Sequence, residues 1–487
     1  MMKIRVGIVF LLLLRSSISI ATDIPFSHVV LDSEGPKDPW AKIIGDINGD
    51  GFLDVIIGGR DGPLVWYCYP HWAKTIIAEG GYKTVDGEAG DVDGDGDLDI
   101  VMGGLIWYEN PRPHDDPAKN IWKAHKVANH PSHDIELGDL DRDGDLDIVT
   151  RDQSEFGHKA GNKIHIWRQD GASSWTQRII DCPHGEGIVL GDIDMDGDFD
   201  IVIGGIWFEN TRDIVNGQWS EHQYAHWHPN ATIQIADING DSLPDIVLSP
   251  AELKGNFYKI SWFEAPSDPK KGDWPEHIIA DSIECVIHGL VTADINGDGA
   301  MDVVSAEMHQ SADPDEVTVY INQDSGLSWN KQIISTRGSH YIQAGDFGND
   351  GDIDIIGANW SGDYQPIEMW ENKSKKRMHL SSMGADIPKP DVGQQAASLI
   401  LDIDKDGATF SILHEDIEAI ASCWPTQEQT AVLGFGRKDL NTFMEIEPVH
   451  FTIGLCEHST FAELSRIVNS AYSPMVIEVG NQEIVGE

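Results

Sequence analysis

An all-β fold is predicted: a seven-bladed β-propeller carrying calcium-binding loops and followed by a small C-terminal α+β extension. Three observations predict it. An acidic nine-residue pattern begins at Asp46, Asp91, Asp139, Asp192, Asp237, Asp294 and Asp346. Successive starts lie about 45 to 57 residues apart, the length of one four-stranded blade. Between the loops, short β-branched and aromatic runs recur at four places per repeat, and no long helical period appears.

Residues 1–21 carry Lys3 and Arg5, then the apolar run Val6 to Leu14, then the small residues ending at Ala21, which is the pattern of a secretory signal peptide. Nine apolar residues stopped by Arg15 are too short to span a bilayer. Neither lipid attachment nor a later membrane span is indicated, so the mature chain is expected to be secreted or periplasmic. Residues 22–382 hold the propeller. Its first strands end in Gly-Asp or Ala-Asp, as in Ile43-Ile44-Gly45-Asp46, and its second strands read like Asp54-Val55-Ile56-Ile57-Gly58.

Third strands carry Trp-aromatic-Glu: Ile106-Trp107-Tyr108-Glu109-Asn110, Ile206-Trp207-Phe208-Glu209-Asn210 and Ser261-Trp262-Phe263-Glu264, with Trp370-Glu371-Asn372 as a shortened copy. Fourth strands open with Trp and end in paired aliphatics, as in Trp72 to Ile77, Trp175 to Ile180, Trp274 to Ile279 and Trp329 to Ile334. Most of the 16 tryptophans are therefore assigned to packing between blades. Phe26-Ser27-His28-Val29-Val30 matches the fourth-strand pattern but precedes the first loop, so it is expected to complete the last blade, with Arg377 to Leu380 as a rival. Residues 383–408 read as a linker containing a degenerate eighth loop, Asp402 to Gly407, with Phe410 where the closing Asp belongs. Residues 409–487 read as the extension, with a capping box at Thr460 opening a helix to Tyr472 and a strand over Pro474 to Val479.

The chain has 487 residues, with 81 acidic against 34 basic and a formal net charge of -47. That balance excludes nucleic acid as a partner. Five scattered cysteines, an odd number, do not make a disulfide framework. Hydrophobic residues at 40% and charged residues at 24% are ordinary globular usage, so the acid excess asks what neutralises it locally.

Alternate positions of each loop offer oxygen ligands suited to calcium. The sets are Asp46, Asn48, Asp50 and Asp54; Asp91, Asp93, Asp95 and Asp99; Asp139, Asp141, Asp143 and Asp147; and Asp192, Asp194, Asp196 and Asp200. Three more are Asp237, Asn239, Asp241 and Asp245; Asp294, Asn296, Asp298 and Asp302; and Asp346, Asp350 and Asp354. The fifth, with Ser242 and Pro244, and the seventh, with Gly348 at a ligand position, are expected to bind more weakly. An EF-hand is excluded because position 12 holds no Glu in any copy. An acidic turn using Asp and Gly for turn chemistry alone is the bland alternative, and seven copies in register argue against it.

The run Gly90-Asp91-Val92-Asp93-Gly94-Asp95-Gly96-Asp97-Leu98-Asp99 and its relatives resemble the FG-GAP or VCBS repeats of integrin-α-like calcium-binding propellers. The resemblance implies fold and calcium and is nearly silent about activity. Such repeats occur in adhesion proteins, in polysaccharide lyases and in the propeller of aldos-2-ulose dehydratase, so function has to be argued from the site.

Rotational symmetry points to that site. Six residues before each first Asp stand Trp40, Val85, His133, Glu186, Ala231, His288 and His340, at quasi-equivalent places around the channel mouth opposite the acidic loops. Neighbouring positions add Asp134, His184 and Tyr341, and the ends of second strands add Arg60, Arg151, Asp152, Glu307, His309 and Trp360. Three imidazoles and a carboxylate suit zinc or another transition metal with a position left for substrate. Without metal, His and Tyr suit base and acid roles in taking a sugar-ring proton, with Arg60 or Arg151 stabilising the developing charge. Strand capping by these histidines is the structural alternative. Cys182-x-His184 and Cys285-x-x-His288 have metal-like spacing but fall in different blades.

Two functional readings follow. One is an exported, calcium-stabilised propeller acting on carbohydrate by β-elimination or dehydration. The other is a non-catalytic module that binds a glycan or a cell-surface or extracellular protein.

Overall fold

Asp, Gly and Asn at the loop positions favour tight turns, and the β-branched runs on either side favour extended chain, so each repeat folds as strand, loop, strand. The computed structural model describes residues 23–374 except 83–85, 155, 157, 252 and 273, together with strand segments between 376 and 485. Seven four-stranded antiparallel sheets span 39–78, 87–126, 134–181, 189–223, 231–285, 287–335 and 341–372. The last sheet takes its fourth strand, Phe26–Asp32, from the N-terminus, paired to Ile367–Asn372. The N-terminal strand thus closes the ring. Lys376–His379, its rival, pairs instead with Ser398–Asp404 in a separate sheet.

Each first strand touches the first strand of the next blade, and Tyr341–Gly345 touches Pro39–Gly45, so the seven innermost strands form a complete circle around a channel. One apolar cluster fills each of the seven seams. Trp66, Trp107, Trp207, Trp262 and Trp370 are among the largest fully buried side chains there, and truncating one costs about 3–5 kcal/mol. On three blades an imidazole from the fourth strand stacks on this Trp, with ring centroids 4.1 Å apart at Trp107–His125, 4.4 Å at Trp207–His222 and 4.2 Å at Trp262–His277. The same imidazoles meet Glu109, Glu209 and Glu264, which explains the Trp-aromatic-Glu motif as a lid over the seam.

Two sets of polar side chains staple blade to blade. Asn110, Asn210, Asn322 and Asn372, at the ends of third strands, each donate Nδ2 to a carbonyl in the preceding blade's loop: Ile47, Leu140, Ile238 and Ile295. Five residues before the first loop Asp, a second set reaches the following blade. Asp86 accepts from Ile135 N–H, Asp134 accepts from Gly187 N–H, and Thr232 donates to Ile287 C=O.

Residues 398–404 and 407–414, which take in Asp402–Asp404 and Gly407 of the degenerate loop, are strands of an antiparallel sheet that also holds 376–379 and 417–423. Val476–Val479 is a strand, as the sequence predicts. The signal peptide expected over residues 1–21, the helix expected from Thr460 and the rim residue Val85 lie outside the described residues. No helix among the described residues is long and apolar enough to cross a membrane.

Candidate functional site

Gly94 and Gly96 take positive φ, 76° and 96°, so the chain can curl until the loop's own amides reach Asp91. Three loops bring carboxylate oxygens within 4.8 Å of one another: Asp91, Asp93 and Asp99; Asp139, Asp141 and Asp147; and Asp192, Asp194 and Asp200. That donor set fits a hard cation that prefers oxygen ligands. In the Asn-bearing loops the amide instead donates to the acid two residues on, Asn48 to Asp50, Asn239 to Asp241 and Asn296 to Asp298.

The ninth Asp has a second task. Asp99 accepts from Val92 N–H and Asn110 N–H, and Asp54, Asp147, Asp200, Asp245 and Asp302 repeat the double acceptance, tying loop to third strand. Burial pushes these carboxyls up, to about 6 at Asp54 and about 7 at Asp99, Asp147, Asp200 and Asp302.

At the other end the expected convergence is found. His133 and His288 come from blades 3 and 6 and meet edge to face with centroids 5.9 Å apart, while His288 stacks on His340 at 5.0 Å. Glu186 of blade 4 places Oε1 3.7 Å from His288 Nε2. Glu186 and His340 are buried, while the His133 and His288 side chains keep 15% and 10% exposure. Above them Trp360 lies 6.0 Å from His340, 5.6 Å from Trp40 and 5.7 Å from His309, with the Arg60 guanidinium 4.9 Å over Trp40. His309 also bonds Ser361 Oγ at 2.9 Å.

His133 is held in place. Its Nδ1 bonds Asp134 Oδ1 at 2.9 Å, and the other Asp134 oxygen takes the Gly187 N–H. Burial works against charge on Asp134, but His133, the Gly187 amide and Arg151 outweigh it and hold the carboxyl below its ordinary range. The acid therefore stays ionised and orients the ring, leaving acid–base work to Nε2. His340 is driven well below the usual imidazole value by burial, then by Lys42 and the neighbouring imidazoles.

Three expected residues sit elsewhere in the arrangement. Arg151 is 1% exposed and spends its guanidinium on the carbonyls of Gly161, Gly187 and Pro183, so it braces the rim from beneath. Tyr341 lines the channel below the imidazoles, where burial and four carboxylates push its phenol far up. His184 bonds Ser154, and Cys182 Sγ lies 3.7 Å from Gly161 O, so the Cys-x-His pair is not assembled as a metal site. Among the described residues the three-ligand groups are the acidic triads alone.

Below the imidazoles lies a channel cavity of about 310 Å³ lined by Glu88, Glu136, Gln234, Tyr341 and Gln343. Burial, reinforced by Asp134, pushes Asp86 up to about 7. Burial with Asp86 pushes Glu88 up to about 8. Both glutamates face the lumen and are only half-buried. Lys42, 1% exposed, donates to the carbonyls of Pro39 and Trp40. None of these four stands out in sequence, because the positions three to five residues before the loops do not keep one residue type around the ring.

The FG-GAP-like repeat profile matches residues 46–102, 139–203, 237–305 and 294–357. This is an FG-GAP-repeat β-propeller. The FG-GAP propeller is similar in structure to BBS1N, solved in complex with ARL6DN, at 11% identity over 72% of this chain and 96% of that one, with a TM-score of 0.45. It is also similar to the Bacillus licheniformis rhamnogalacturonan lyase PL11, at 12% identity over 71% of this chain and 75% of that one, with a TM-score of 0.38. A third is YCF48 from Cyanidioschyzon merolae, at 10% identity over 70% and 98% of the two chains and a TM-score of 0.42. Comparison with curated proteins gives no significant match.

Proposed function

We propose that this chain is an exported, calcium-stabilised propeller whose channel mouth acts on carbohydrate by β-elimination or dehydration. One observation carries the reading: four blades deliver His133, His288, His340 and Glu186 to a single cluster beneath the Trp40 and Trp360 rings. Aromatic faces suit the C–H faces of a sugar, and two imidazoles with separate carboxylate partners suit one proton removed and another delivered. His133, oriented by Asp134, is the base; His288, beside Glu186, is the acid. The wide spacing of the imidazoles favours this acid–base role over chelation of zinc. Calcium in the acidic loops would neutralise clustered carboxylates and clamp strand connections at the opposite face. Export rests on the leader pattern at residues 1–21.

The test is a panel of uronate-containing and neutral oligosaccharides, with product followed by the ultraviolet absorbance of a new C=C bond. His133→Ala should lower turnover at least about 100-fold, within the range for losing a general base, with an unchanged melting temperature. Saturable binding with no turnover by the wild type would replace this reading with a glycan-binding module.

A further inference from the structure

We infer that Asn230 is the donor that holds the developing oxyanion at the channel mouth, and that the site therefore takes sugars whose reactive C–H lies beside a carbonyl or carboxylate. This rests on the elimination reading above and adds to it a residue and a substrate class.

Asn230 is 1% exposed, yet neither its Oδ1 nor its Nδ2 has a hydrogen-bond partner among the described residues. Buried carboxamides are ordinarily paired, so one left without partners marks a place for a ligand. Its position suits that. The backbone of Asn230 bridges that of Glu186, and Glu186 N–H donates to the adjacent Pro229 carbonyl. Thr232, two residues on and so on the same face of the extended chain, donates its hydroxyl to the Ile287 carbonyl, one residue before His288. Asn230 thus stands on blade 5 between Glu186 of blade 4, which its backbone bridges, and His288 of blade 6, beside which Thr232 makes its bond. The basic groups nearby are committed elsewhere: Arg151 and Lys42 to carbonyls and Arg60 to the face of Trp40.

The step balances within the site. His133 takes the proton from the carbon next to the carbonyl or carboxylate, and the electron pair left behind moves onto that oxygen, where Asn230 Nδ2–H holds it. Collapse of this enolate forms the C=C bond and breaks the bond from the β-carbon to its oxygen substituent. The leaving oxygen departs with a proton from His288. No oxidant or co-reactant is consumed.

The experiment uses the full chain with oligosaccharides of D-glucuronate and D-galacturonate and with 2-keto-D-glucose, measuring kcat and KM separately. Asn230→Ala should lower kcat about 100-fold with KM moving less than about threefold, the signature of a donor used in the transition state. Asn230→Asp, which replaces donors by acceptors, should lose at least as much. Asn230→Ser serves as the readout if the alanine variant melts lower than wild type. A raised KM with unchanged kcat, or kinetics equal to wild type, overturns the assignment. A wild type that converts none of these sugars overturns the elimination reading itself, a result distinct from an active wild type matched by its Asn230 variants.

Discussion

Asn322→Ala tests whether the third-strand asparagines hold the ring together. Asn322 is 3% exposed; it donates to Ile238 O at 2.8 Å and Met301 O at 3.0 Å and accepts from Gly326 N–H at 2.6 Å. Truncation deletes all three bonds and strands the Gly326 amide in a dry setting. At about 1 kcal/mol net per bond the loss is about 3 kcal/mol, and more if the orphaned amide finds no water. With an unfolding entropy of ~2.1 cal/mol/K per residue over roughly 350 blade residues, that lowers the melting temperature by about 4 °C. Thermal melts followed by tryptophan fluorescence, with and without calcium, measure it. The asparagine is not a proposed ligand, so the shift should be equal in both conditions. A shift under about 1 °C, or one present only with calcium, would refute the staple argument.

Three further outcomes are expected. Chelation should lower the melting temperature of the wild type, and Asp99→Asn should remove part of that response; a melt indifferent to chelator would sink the calcium reading. In calcium-saturated buffer, stability should fall as pH rises from about 4 to about 8. Asp86 and Glu88 titrate near 7 and 8 in the folded chain, so the native state keeps protons that the unfolded chain releases, and that advantage is lost as pH passes the folded values. Glu88→Gln should flatten the pH curve, and a wild-type curve rising over this window would contradict the buried-acid picture. Arg151→Lys should destabilise the fold by about 3 kcal/mol, because an ammonium cannot span three carbonyls set for a guanidinium; loss of turnover at full stability would return Arg151 to the reacting groups.

What the residues disclose on their own follows from the repeat. A fixed period marks equivalent positions, so the ring, its closure by Phe26–Asp32 and the meeting of His133, His288 and His340 are all legible in one dimension. Bonds between different positions of different blades are not. Asn110 and Asn210 stand in the quoted third-strand motif, but their carbonyl partners lie 63 and 70 residues earlier in the chain. Arg151 has the position of a catalytic group, and only its three carbonyl contacts reveal a brace. Asn230 sits one place off the rim position held by Ala231, so symmetry alone passes over it.

Closure by the N-terminus makes the ring a belt with its buckle at the first-made end. The chain leaves the ribosome with Phe26–Asp32 in hand, but the groove that receives it is not built until Ile367–Asn372 arrives, more than 300 residues later. Ile24 then locks in place through paired bonds to Gln332 of blade 6. Until that moment an edge with free amides and carbonyls stays open. A neighbouring copy carries the same strap, so crowding at this stage favours rings threaded into one another, and variants that lose the first residues of the strap should chain together through the open edge.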